Sequence, residues 1–149
     1  MVKNIFVYGT LKRGMSNSRY LPNYAIKHIQ KATTKGTLYY ISSGAYPCLK
    51  RCGNNLIHGE LISVKDKYWE EILANIDVLE GYPTFYNREI IQVINENGEK
   101  DLAWVYIFND ENDPYLGEEI KDGNFKGERP RENTINELQA LLAYYYGDL

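Results

Sequence analysis

The chain predicts an α+β fold, a small and mostly antiparallel β-barrel or curled sheet flanked by helices. Three observations point to it. Short runs rich in β-branched and aromatic residues recur between Ile5 and Phe108, and one amphipathic helical stretch interrupts them. Fourteen tyrosines supply rings that suit a small barrel or, equally, a polar ligand pocket. The 149 residues fit one domain covering 1–149, long enough to bury roughly 70% of the surface that the unfolded chain exposes.

Taken in order, Ile5-Phe6-Val7-Tyr8 reads as a buried strand that stops at Gly9. A residue without a side chain lets the backbone turn sharply and approach a ligand. Successive N–H groups past such a turn can share one concavity and seat a carboxylate or an oxyanion. The same pattern is also that of a plain turn. Residues 12–23 form a polar connection, and 25–40 are extended, with Gly36 to Ile41 the clearest strand. A turn at 42–44 leads to Ala45-Tyr46-Pro47, and Leu56 to Val64 alternates as a further strand.

Asp66 to Glu80 predicts a helix: Trp69, Ile72, Leu73 and Ile76 fall at helical spacing, Asp66 is placed to cap it, and Gly81 with Pro83 ends it. Tyr86 to Asn95 and Leu102 to Phe108 predict an antiparallel hairpin closed by a two-residue turn at Asn97-Gly98. Residues 109–132 read as loop, interrupted at Phe125. From Asn133 a capping box (Thr134 and Glu137) opens a face of Ile135, Leu138, Leu141, Leu142 and Tyr145, predicting a docked C-terminal helix over 133–149.

Composition narrows the function classes. A net charge of −3 argues against nucleic acid as the principal partner. The basic pairs Lys12-Arg13 and Lys50-Arg51 read as solvated side chains. No run approaches the roughly 20 apolar residues of a membrane span. Met1 to Asn4 leads straight into a strand without a signal-peptide pattern, so a cytoplasmic protein is expected, with no membrane partner. Cys48 and Cys52, with His58 and His28, fall short of a recognised zinc spacing, so neither a metal nor a cofactor is expected. Nothing in the pattern fixes an oligomeric state.

One acid does not fit its helix. Advancing 100° per residue from Trp69, Ile72, Leu73 and Ile76 span an apolar stripe, and Glu80 falls inside it while Glu70 and Glu71 point away. Asp77 lies at the stripe's edge. Burial, the negative end of the helix dipole and an ionised Asp77 would all raise the Glu80 pKa toward that of a general base working near pH 7. The competing reading is structural: Glu80 bonds to a backbone N–H or to Arg88 and ties down the loop.

Val7-Tyr8-Gly9-Thr10-Leu11-Lys12-Arg13-Gly14 resembles the opening motif of the gamma-glutamylcyclotransferase-like family. Ile76 to Pro83, followed by Tyr86 and Arg88, resembles that family's second motif, in which the glutamate is catalytic. Weaker echoes are Gly44 to Pro47, Ile57 to Glu60, Ala103 to Tyr106 and Asp122 to Phe125, the last departing from the Gly-Asp-Trp that often ends this segment in bacterial members. The closest branch looks like the short bacterial members and the gamma-glutamylamine cyclotransferases.

The resemblance implies a cofactor-free reaction on a small-molecule γ-glutamyl substrate. The α-amine attacks the γ-carbonyl, releases an amine or amino acid and leaves 5-oxoproline, with removal of a γ-glutamyl tag from a biosynthetic product as one variant. It places Glu80 as the catalytic acid and base, and Tyr8, Gly9, Thr10 and Leu11 at the glutamyl group. Tyr46, Tyr82, Tyr86 and Arg88 are further pocket candidates. The alternative is a module of the same fold that binds a small metabolite or a protein without turning it over.

Overall fold

The computed structural model describes residues 1–42 and 44–127; the helix expected over 133–149 lies outside them. The strands are β1 (Asn4–Val7), β2 (Ile26–Ile41), β3 (Pro47–Val64), β4 (Tyr86–Asn95), β5 (Lys100–Phe108) and β6 (Leu116–Glu119), with α1 (Trp69–Glu80) between β3 and β4. The order β3-β1-β5-β4-β2 closes into a five-stranded barrel because β2 also pairs along β3, and β6 extends the β2 edge. The β1–β5 pairing is parallel and the others are antiparallel.

Period-2 alternation divides the core. Ile5 and Val7 of β1 pack with Trp69, Ile72 and Ile76 of α1, and with Tyr106 and Phe108 of β5. Phe6 and Tyr8 join Leu38, Leu49, Leu61, Val93 and Val105 on the opposite face. The helix therefore lies against one wall of the barrel, with its apolar stripe buried as its spacing requires. Gly81, in the left-handed region at φ 64°, ends α1 by donating to the carbonyls of Asp77 and Val78.

Several local expectations are corrected. The segment Asp66–Tyr68 is a 3₁₀ turn and α1 begins at Trp69; Asp66 caps neither and instead lies 3.3 Å from Lys3 Nζ. The β4–β5 loop has three residues, not two: Ile94 pairs with Lys100, and the Asn95 N–H donates to Glu99 O. Gly98 takes a positive φ of 79° while Asn97 does not, which is the geometry of a three-residue loop ending in a glycine bulge.

Strand extends into two stretches where the sequence predicts none. Residues 47–55 belong to β3, and Leu116–Glu119 forms β6, opposite Tyr39 and Ile41. Between Gly36 and Thr37 the β2–β3 register jumps from Asn55 to Lys50, and Thr37 Oγ1 donates to Cys52 O at 2.7 Å.

The basic pairs are not simply solvated. Lys50 is buried at 7% exposure. Its ammonium bonds the Asp110 carboxylate, Asp113 Oδ1 at 2.8 Å and Phe108 O at 3.2 Å, and the two acids hold its pKa above the ordinary lysine value against the pull of burial. Lys12 Nζ donates to Phe125 O at 2.7 Å, and the Arg13 guanidinium to Ser18 O at 3.2 Å.

Replacing Lys50 removes charged hydrogen bonds that pin the 110–115 segment to β3. Lys50→Met should therefore lower stability by roughly 1.5–3 kcal/mol. Asp113→Asn, which leaves Asp110 as a partner, should cost less. Urea unfolding of the two variants against the parent chain checks both the loss and its order.

Candidate active site

Chain geometry brings five segments to one end of the barrel. The stretch after β1, the start of β3, the end of α1, the start of β4 and the last part of β5 surround a pocket. It is lined by Phe6, Val7, Tyr8, Gly9, Thr10, Leu11, Tyr46, Pro47, Glu80, Tyr86 and Tyr106, with an empty volume of about 390 Å3, part of it open to solvent. Seven of the sequence-predicted residues meet here: Tyr8, Gly9, Thr10, Leu11, Tyr46, Tyr86 and Glu80. Tyr82 and Arg88 do not line it.

The turn after β1 is built by local bonds. Lys12 N donates to Gly9 O, and Asn17 reaches back to the Thr10 carbonyl and hydroxyl, each at 2.9 Å. Among the described residues, the N–H groups of Gly9, Thr10 and Leu11 have no protein acceptor. Three consecutive donors thus stand available in the stretch that lines the pocket, as a seat for negative charge requires. Gly9 is needed for a reason the sequence did not show. Its φ is not positive, but a Cβ there would overlap Pro47 Cγ and sit 3.0 Å from Cδ. The missing side chain lets β3 close over the turn.

Tyrosine hydroxyls brace the walls. Tyr8 donates to Tyr106 O at 2.7 Å and accepts from Leu49 N at 3.3 Å, tying β1 to β5 and β3. Tyr86 donates to Pro47 O at 2.9 Å, tying β4 to the start of β3. Burial pushes all three phenols, Tyr8, Tyr86 and Tyr106, above their ordinary pKa. Buried Cys48 nearby is pushed up to about 12. These groups are uncharged near neutral pH.

Glu80 is the exception in this setting. Among the described residues its carboxyl has no hydrogen-bond or ion-pair partner, and desolvation raises its pKa to about 7. Glu80 lies in the pocket at the end of the α1 stripe, and burial is what raises its pKa. Arg88, the partner that the structural reading offered, is engaged elsewhere. Its Nε and Nη2 lie 2.8 and 3.1 Å from the two Asp77 oxygens. Tyr82 and Trp104 stack on its guanidinium at 4.4 and 4.7 Å.

Tyr106 was missed at the sequence level, as were Phe6, Val7 and Pro47. Only its place in Ala103-Trp104-Val105-Tyr106 marked it. Among the described residues no group of three or more His, Cys, Asp or Glu could hold a metal, and no helix is long and apolar enough to cross a membrane.

Comparison with known proteins gives the family and the fold. The family model described as "Gamma-glutamyl cyclotransferase, AIG2-like" matches residues 5–127. A gamma-L-glutamyl-butirosin B gamma-glutamyl cyclotransferase of Niallia circulans is 36% identical over 125 residues, 80% of this chain and 74% of that protein. A gamma-glutamylaminecyclotransferase A of Danio rerio is 31% identical over 112 residues, 69% and 67% of the two chains. The crystal structure of an AIG2-like protein from Mus musculus superposes with a TM-score of 0.65 at 24% identity, covering 88% of this chain and 97% of that one, a likeness of fold. The chain belongs to the AIG2-like gamma-glutamyl cyclotransferase family.

Two measurements follow from the site's geometry. An acid whose folded pKa is raised destabilises the folded state once it ionises. The penalty is absent below the unfolded value of about 4.5 and complete above about 7. Stability of the parent chain should therefore fall between those limits relative to Glu80→Gln, and melting both proteins from pH 4 to 8 reads the gap. Gly9→Ala should lower stability by roughly 1–3 kcal/mol through overpacking against Pro47, and Pro47→Ala in the same chain should recover part of it in urea melts.

Proposed function

We propose that this chain is a cyclotransferase that opens a γ-glutamyl amide by intramolecular attack and forms 5-oxoproline. One observation carries the reading: a desolvated carboxylate, Glu80, without a partner among the described residues, shares a pocket with the Gly9–Leu11 turn, whose three N–H groups have no acceptor among those residues.

In this reading the turn receives the glutamyl group, and its N–H groups stabilise negative charge on the oxygen of the reacting carbonyl. Ionised Glu80 takes a proton from the substrate's α-ammonium. The freed nitrogen lone pair attacks the γ-carbonyl carbon, and the carbonyl π electrons move onto oxygen. As the C=O reforms, the bond to the leaving nitrogen breaks, Glu80 returns its proton there, and the ring nitrogen gives up its second proton, by way of Glu80, to the departing amine. The products are 5-oxoproline and the amine as its ammonium ion, with the carboxylate regenerated and no co-reactant consumed. Because the nucleophile belongs to the substrate, holding it close to the carbonyl supplies much of the rate. Tyr46, Tyr86 and Tyr106 shape the remaining walls. The named relatives support the substrate class, as both act on γ-glutamyl compounds by name.

Raising the Glu80 pKa serves this chemistry. A base with a pKa of about 7 is substantially ionised at neutral pH, yet its conjugate acid still returns the proton readily.

Glu80→Gln keeps the volume but cannot take the proton. Release of 5-oxoproline from a panel of γ-glutamyl amines and peptides should fall at least about 10²-fold while binding persists. In the parent chain kcat/KM should rise with pH through an apparent pKa near 7. A folded Glu80→Gln protein with near-normal turnover would reject the reading. Binding without turnover in the parent chain itself would favour a non-catalytic module.

A further inference from the structure

The pocket leaves one charged cluster unexplained. Asp77 sits one turn before Glu80 on α1, outside the pocket lining, and carries three hydrogen bonds. Two come from Arg88 of β4, and Tyr106 OH of β5 donates the third to Oδ1 at 2.7 Å. Asp77 and Arg88 are both largely buried, with side chains 19% and 16% exposed. The Arg88 guanidinium is clamped between the rings of Tyr82, just past α1, and Trp104 of β5. The junction thus gathers the C-terminal turn of the helix, the segment after it and two barrel strands. Tyr106 belongs to the lining, and its carbonyl receives the Tyr8 hydroxyl.

We infer that Arg88, acting through Asp77, is a positioning residue for Glu80: the Arg88–Asp77–Tyr106 junction fixes the last turn of α1 against the pocket wall and cancels the other carboxylate in that turn. The inference rests on Glu80 being the base of the proposed reaction. A bidentate guanidinium–carboxylate pair sets both distance and angle, which a single ammonium contact does not. A carboxylate three residues from Glu80 on the same helix is close enough to oppose its ionisation if left unpaired.

Among the described residues, the other titratable groups lining the pocket with Glu80 are Tyr8 after β1, Tyr46 just before β3, Tyr86 of β4 and Tyr106 of β5. Tyr8, Tyr86, Tyr106 and Cys48 are held neutral by burial. The Asp77–Arg88 pair is therefore the charge balance that a substitution can tip.

The experiment compares Arg88→Met, Arg88→Lys, Asp77→Asn and the double variant Asp77→Asn/Arg88→Met with the parent full-length chain. Turnover of a γ-glutamyl amide is measured from pH 5 to 9, and the Glu80 side-chain carbon is titrated by NMR. Arg88→Met should lower kcat about 10-fold, with KM changed less than about 3-fold, because Arg88 does not line the pocket. Its acidic limb and the Glu80 titration should both move up by roughly half a pH unit or more. The double variant should bring both back toward the parent midpoint while kcat stays low. Arg88→Lys should keep the midpoint and recover part of kcat.

An unmoved Glu80 titration in Arg88→Met, or a double variant that stays displaced, would overturn the inference. A rise in KM with kcat intact would make Arg88 a substrate contact instead and overturn it equally. If Arg88→Met does not fold, Arg88→Lys and Asp77→Asn carry the test. Asp77→Asn should lower kcat without raising the Glu80 midpoint, and unchanged kcat in both would refute positioning. Because the titration needs no substrate, a parent chain without turnover would reject the cyclotransferase reading while the junction's effect on Glu80 is still read.

Discussion

A carboxylate without a counter-ion stays in a desolvated pocket only if the surrounding frame holds its shape without that carboxylate's help. The Glu80 carboxyl makes no bond among the described residues, so its pocket is braced by other groups. The Tyr8 and Tyr86 hydroxyls span β1 to β5 and β4 to β3, and the Asp77 contacts bind the end of α1 to β4 and β5. Such bonds are individually modest. Their value lies in joining segments far apart in sequence at one end of the barrel, where loop-only construction would leave the acid free to find water or a cation.

How much of this was legible in the sequence depends on the range of the interaction. The strand into Gly9, the α1 stripe and the position of Glu80 are local patterns, and each was readable from spacing. Gly81 as the helix stop was equally clear, because only backbone geometry within one turn decides it. The three-residue loop at Gly98 differs from the predicted two-residue turn by a single residue of register, below what a dipeptide signal resolves.

Lys50 shows the other limit. Beside Arg51 it has the local look of a solvated base, and its burial is set by Asp110 and Asp113, some 60 positions downstream. Arg88 was misplaced for a similar reason. Its motif put it near Glu80, but the choice between Glu80 and Asp77 as its partner depends on which helix face meets β4. Tyr106 carried only a weak motif signal, because its role follows from where β5 ends relative to β1. In each case tertiary contact, not local preference, assigns the side chain.

The contact between Gly9 and Pro47 also limits how this pocket can diverge. The two positions come from different segments, the turn after β1 and the start of β3, and interlock without a gap for a methyl group. A side chain gained at position 9 is tolerated only if the ring at 47 is already gone, and losing that ring first opens a void beside the site. Single steps therefore lead downhill in either order, and related chains should vary the two positions together or not at all. The Tyr46 side chain, next to this contact in the chain, is 48% exposed and is the freer place for new substrate preferences to arise.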